Sequence, residues 1–123
     1  YDIETGEGFE DYVADSFFDA GFSVSKTKKS WDGGCDLIAK SGQVVVLCQV
    51  KQVRSDKCLM EGVDEIIKAK SRYGSQSPTH LVLVTNAKDL SPTQVRMANS
   101  GGVTLLLGDS IAHYGQALRS TTG

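Results

Sequence analysis

A chain of 123 residues with 40% hydrophobic and 23% charged side chains can bury one core but is too short for two, and that balance excludes a mainly disordered polypeptide. No apolar run approaches the ~20 residues of a membrane-spanning helix, so no membrane partner is expected. A net charge of −2 does not by itself suggest a polyanion binder, because affinity for a phosphate backbone comes largely from Lys and Arg. The cations are nonetheless clustered: Lys26, Lys28, Lys29, Lys51, Arg54 and Lys57 lie in or beside one central stretch. Cys35, Cys48 and Cys58 are odd in number and form no C-x-x-C pair. They read as reduced structural thiols of a cytoplasmic protein rather than a zinc site. The chain opens at Tyr1, its first methionine being Met60, which reads as a single domain over residues 1–123 cut from a longer polypeptide whose other domains would be its partners.

Taken in order, Phe9, Tyr12, Val13, Phe17 and Ala20 recur at three- and four-residue steps, which predicts a helix over residues 7–20 ended by Gly21. Glu10 sits at the edge of its buried stripe, and on spacing alone it reads like Glu7 and the other early acids, as a complement to the helix dipole. Residues 22–26 alternate as a short strand, residues 27–30 turn the chain, and Gly33-Gly34 shape the entry to a hairpin. Asp32 reads as a turn residue or as an assistant to a neighbouring site. A second amphipathic helix is predicted from Leu59 to Tyr73. A nearly continuous apolar strand follows at residues 81–85, then a third helix from the Ser91-Pro92 start to Asn99. The last strand spans residues 103–107, a short helix residues 111–118, and residues 121–123 read as frayed. The expected class is α/β, with a mixed central sheet of about five strands flanked by helices on both faces.

The stretch 31–51 carries the chemistry. Two strands meet at a turn placed at Ser41-Gly42, so that residue 40 pairs with 43 and Asp36 falls opposite Leu47. Side chains of a strand alternate, hence Gln49 and Lys51 share one face, and this register adds Asp36 to it. A carboxylate, an amide oxygen and an ammonium brought together among apolar strands can hold a divalent cation and a water molecule. Glu65 has no assignable role from its spacing.

The set Gly8-Phe9-Glu10, then D-G-G-C-D-L-I-A over residues 32–39, then Gln49-Val50-Lys51 resembles the Mrr-type branch of restriction endonucleases, within the PD-(D/E)xK nuclease superfamily, where a Gln commonly replaces the second acid. The likeness runs from about residue 6 to residue 118. It implies a restriction-endonuclease-like core and a Mg2+-dependent endodeoxyribonuclease of restriction or defence type, with Mn2+ able to substitute, acting on double-stranded DNA. It implies Asp36, Gln49, Lys51 and Glu10 as the catalytic set, and Asp36, the Gln49 side-chain oxygen, the Val50 carbonyl and Glu10, directly or through water, as the metal set. Cutting both strands would call for a homodimer. The alternative is a catalytically silent module of the same fold that holds DNA or a partner protein. A purely structural domain would instead pair Asp36 with Lys51 as a salt bridge.

Overall fold

Among the described residues, four α-helices and five strands follow from these periodicities. In the computed structural model, residues 6–27, 35–51, 55–73 and 79–122 are described; the expected roles of Lys28, Lys29, Asp32, Gly33, Gly34 and Arg54 fall on positions outside them. The helices are α1 Gly6–Asp19, α2 Asp56–Tyr73, α3 Pro92–Ser100 and α4 Ile111–Thr122, and the strands are β1 Ser23–Lys26, β2 Leu37–Ser41, β3 Val44–Val50, β4 Thr79–Thr85 and β5 Val103–Leu107. The sheet order is β1-β2-β3-β4-β5. The pairs β1–β2 and β2–β3 are antiparallel, and β3–β4 and β4–β5 parallel. The expected mixed five-stranded α/β sheet is therefore present.

Alternation along β3 divides the core into two layers. Val44, Val46 and Cys48 pack with Phe9, Val13 and Phe17 of α1 and Ile111 of α4. Val45 and Leu47 pack with Leu59, Val63 and Ile66 of α2 and Ala98 of α3. Both faces of β3 and β4 are covered, which is why β4 reads as an unbroken apolar run. Where the two layers lie, and which helix covers which, decides what can reach the carboxyl end of β3.

Several boundaries differ from expectation for local reasons. Helix α2 starts three residues early because Ser55 caps it: the Cys58 N–H donates to Ser55 Oγ at 3.1 Å, satisfying a donor that the first turn leaves open. Strand β4 begins at Thr79, which pairs with Val45. Helix α4 continues to Thr122 instead of ending at Leu118, so residues 121 and 122, expected to fray, are helical, and its Arg119 Nη1 donates to the Ala20 carbonyl at 2.9 Å, tying it to the end of α1.

α4 also meets that end through Gly115. A methyl group there would stand 2.9 Å from the Ala20 Cβ and 3.1 Å from the Phe22 ring, below ordinary contact distance on both. Gly115→Ala is expected to destabilise the protein by about 1–2 kcal/mol, overpacking outweighing the gain in helix propensity. Urea unfolding would measure it, and a stabilised variant would show that the two helices can separate freely.

Candidate active site

The hairpin turn sets the register, and it is not the one expected. Ser41 pairs with Val44 and Leu37 with Cys48, so the two turn residues are Gly42 and Gln43. Gly42 has φ +59°, and among the described residues no non-glycine residue has positive φ. Only the first turn position is thus left-handed, the requirement of a II′ hairpin turn with glycine leading. This moves the pairing by two residues, and Leu47 faces Ile38 rather than Asp36.

A second departure lies at Asp36 itself. Its N–H donates to the Cys48 carbonyl at 2.8 Å, although Cys48 is already the partner of Leu37. Cys35 and Leu37, which a regular strand would place on one face, lie in opposite core layers. Two residues therefore oppose one, as in a β-bulge, a device that re-aims a side chain beside a site. The expectation that simple pairing carries Asp36 onto the face of Gln49 and Lys51 is replaced by this geometry.

Bulging turns the carboxylate into the fork between the two strands. Asp36 Oδ2 accepts the Val50 N–H at 2.9 Å, standing where a β2 carbonyl would otherwise continue the ladder. The Asp36 carbonyl accepts the Thr27 N–H at 2.9 Å, and Thr27 Oγ1 donates to the Cys35 carbonyl at 2.7 Å, which holds the backbone on the far side. Beyond Val50, the Lys51 N–H donates to the Val84 carbonyl at 2.9 Å, so the lysine leaves β3 while still anchored to β4.

Glu65 of α2 completes the group. Its Oε2 accepts Gln49 Nε2 at 3.1 Å and its Oε1 accepts Lys51 Nζ at 3.2 Å. The ion pair of Lys51 is thus with Glu65 and not with Asp36, contrary to the structural reading of the motif; the lysine side chain is 22% exposed and that of Glu65 43%. A signal for Glu65 did exist. It lies three residues after Gly62 and four before Ala69, both buried, at the edge of the stripe that α2 turns to the sheet.

Burial pushes the Asp36 carboxyl up from its ordinary value; the Val50 N–H opposes this, the Glu65 charge adds to it and the Lys51 ammonium counters it. Burial likewise raises the Cys35 thiol to about 12 and pushes the Cys48 thiol well above its ordinary range, the latter helped by Asp36, Cys35 and Glu10. Both thiols stay protonated at neutral pH and so are poor metal ligands or nucleophiles. The structure therefore brings Asp36, Gln49, Val50 and Lys51 together with Glu65. Glu10 stands in the α1 layer, where its charge bears on Cys48, whereas the charges bearing on Asp36 are those of Glu65 and Lys51.

Among the expected basic contacts, Lys26 is paired with Asp11 of α1, and Lys57 is exposed on the first turn of α2. At the same end of the sheet, beyond Thr85 and Leu107, a cleft of about 230 Å³ is lined by Phe9, Tyr12, Asn86, Lys88 and Asp109 among others. The Tyr12 hydroxyl donates to Asp109 Oδ1 at 2.6 Å across it. Carboxyl ends of parallel strands are where open α/β sheets take their ligands.

A mixed sheet with helices on both faces and a carboxylate in a strand fork next to a Gln-x-Lys strand end defines a nuclease-like core. The Mrr_cat restriction endonuclease family model matches residues 2–114, and the chain belongs to that family. Among solved structures it is similar to the small subunit, R.BspD6I2, of the heterodimeric restriction endonuclease R.BspD6I, with a TM-score of 0.61 and 14% identity over 92% of this chain and 68% of that one. At that identity the likeness is one of fold. No curated protein matches the sequence. No described helix is long and apolar enough to cross a membrane.

Proposed function

We propose that this chain hydrolyses phosphodiester bonds in DNA with the help of a divalent cation. The observation that carries the reading is the placement of Asp36 Oδ2 on the Val50 N–H at the point where β3 delivers Gln49 and Lys51. A half-buried carboxylate fixed through one oxygen offers the other to a ligand, and the charge penalty it bears from desolvation is one that a cation relieves.

The donor chemistry suits a hard cation. Among the described residues, no three His, Cys, Asp or Glu side chains gather to hold a metal ion by themselves. Mg2+, however, keeps several waters and needs only one or two carboxylates from the protein. Asp36, the Gln49 side-chain oxygen and the Val50 carbonyl would hold it, since the N–H and C=O of one strand residue point to the same edge and the Val50 N–H points at Asp36. Glu10 would contribute through water. When bound, Mg2+ supplies Lewis-acid polarisation of the scissile phosphate and acidifies water. Lys51, with one donor on Glu65, has its other two for that position, where it balances charge building on phosphorus oxygens and orients the attacking water. The cleft beyond Thr85 gives the strand a path away from the scissile bond, with Lys88 and Asn86 on its wall.

With a chain of net charge −2, binding to DNA would rest on local cations and weaken steeply with salt. Scission of both strands requires a second active site, which a homodimer or a partner would bring. The test is incubation of supercoiled plasmid with the purified protein in Mg2+ or Mn2+, with EDTA as control. Nicked or linear product that appears only with the cation is expected. Stable DNA binding without any strand scission, under both cations, would leave the binding module as the function.

A further inference from the structure

Glu65 accepts hydrogen bonds on both oxygens, one from Gln49 Nε2 and one from Lys51 Nζ. The chemistry of the three groups makes this arrangement directional. An ionised carboxylate only accepts, an ammonium only donates, and an amide has one end of each kind. Gln49 can therefore satisfy Glu65 only with its nitrogen, which turns its oxygen the other way. For a carboxylate in the Gln49 position no such constraint would exist, because either orientation presents oxygen. Close approach of α2 to the sheet brings Glu65 down to these partners: a methyl group on Gly62, one turn earlier, would stand 3.1 Å from Lys51 Cδ and from Leu83 Cδ1.

We propose that Glu65 is a positioning residue, which sets the Gln49 amide so that oxygen rather than nitrogen is offered to the divalent cation, and which holds the Lys51 ammonium beside it. The role rests on the nuclease reading above. It explains how an amide can replace a carboxylate as a ligand: the missing charge is placed behind the amide on α2, where it governs orientation.

Glu65→Gln is the informative substitution, because it keeps the shape and leaves one accepting end where two are needed. The ammonium takes that oxygen, and the new amide nitrogen then draws the Gln49 oxygen away from the cation. Calorimetric titration of the DNA-free protein with Mg2+ is expected to show affinity about tenfold weaker than wild type, the scale on which orienting residues around a metal act. In a Gln49→Glu background the same change is expected to alter Mg2+ affinity by less than about twofold, since a carboxylate at position 49 needs no orienting. In the metal-free protein, the Gln49 side-chain amide signal in a 15N-resolved NMR spectrum is expected to move on Glu65→Gln. Unchanged Mg2+ affinity in Glu65→Gln, or an equal loss in both backgrounds, would overturn the role, the second outcome pointing to a plain field effect or to Glu65 as a ligand itself. A wild-type protein that binds no Mg2+ would remove the nuclease reading and this role together, whereas normal Mg2+ binding with an indifferent Glu65 removes only the role.

Discussion

Lys51→Met is expected to slow DNA cleavage by about a thousandfold at saturating Mg2+, the scale of removing a charge-stabilising or proton-handling group from an active site, while Mg2+ affinity stays equal or rises. The two readouts move apart because of where the lysine stands. Its backbone N–H remains bonded to the Val84 carbonyl, and a methionine fills the space of the apolar stem packed against α2 near Gly62, so the fold should persist. What disappears is the ammonium alone. Removing a positive charge from the neighbourhood of Asp36 cannot weaken a cation there by electrostatics, and Glu65, 43% exposed, stays solvated without its partner. Single-turnover cleavage rates set beside calorimetric Mg2+ binding separate the two quantities. Cleavage within a few-fold of wild type would take Lys51 out of the mechanism. A parallel loss of Mg2+ affinity would mean that it acts by holding the site in shape.

The second prediction sets activity against stability at Asp36. The folded carboxyl is raised above its unfolded value, chiefly by burial, so the native state holds this proton more tightly than the unfolded chain does. Stability contributed by this group therefore falls as pH rises from the unfolded pKa, about 3.9, through the folded one, and at neutral pH its ionised form carries the whole penalty. An asparagine bears no charge, and its side-chain oxygen can still accept the Val50 N–H. In EDTA at pH 7, Asp36→Asn is expected to raise Tm by on the order of 3 °C, a gain that shrinks as the pH is lowered towards 4. Added Mg2+ should then raise the Tm of the wild type and not that of the variant, and cleavage by the variant should be lost. Thermal melts at pH 7 and pH 5, with and without Mg2+, check the two stability outcomes, and plasmid cleavage checks the last. A variant less stable than wild type at pH 7 in EDTA would make Asp36 a structural group whose charge the fold needs.

These two residues differ in how far the sequence alone could place them. Gln49 lies in β3 and Lys51 just past its end, two residues on, and a period of two is a local property, so their common side follows from the apolar run Val44 to Val50 without reference to any other element. The stripes on α1 and α2 are legible for the same reason: a helix that must bury one face writes its period into consecutive residues. Element order and the mixed sheet followed from those periods together with Pro92, Ser91 and the glycine stops.

What the tertiary structure decided is pairing over distance. One hairpin turn with glycine leading, instead of following, moved the register, because a single left-handed residue was available and the II′ geometry requires it first. The bulge at Asp36 depends on Thr27 and Cys48 holding the backbone from two sides, and no alternation of apolar residues encodes it. The assembly of Glu65 with Gln49 and Lys51 spans 16 and 14 residues of chain and depends on how closely α2 settles over β3 at Gly62. Periodicity tells each side chain which way to face; only packing tells it which other side chain it will meet there.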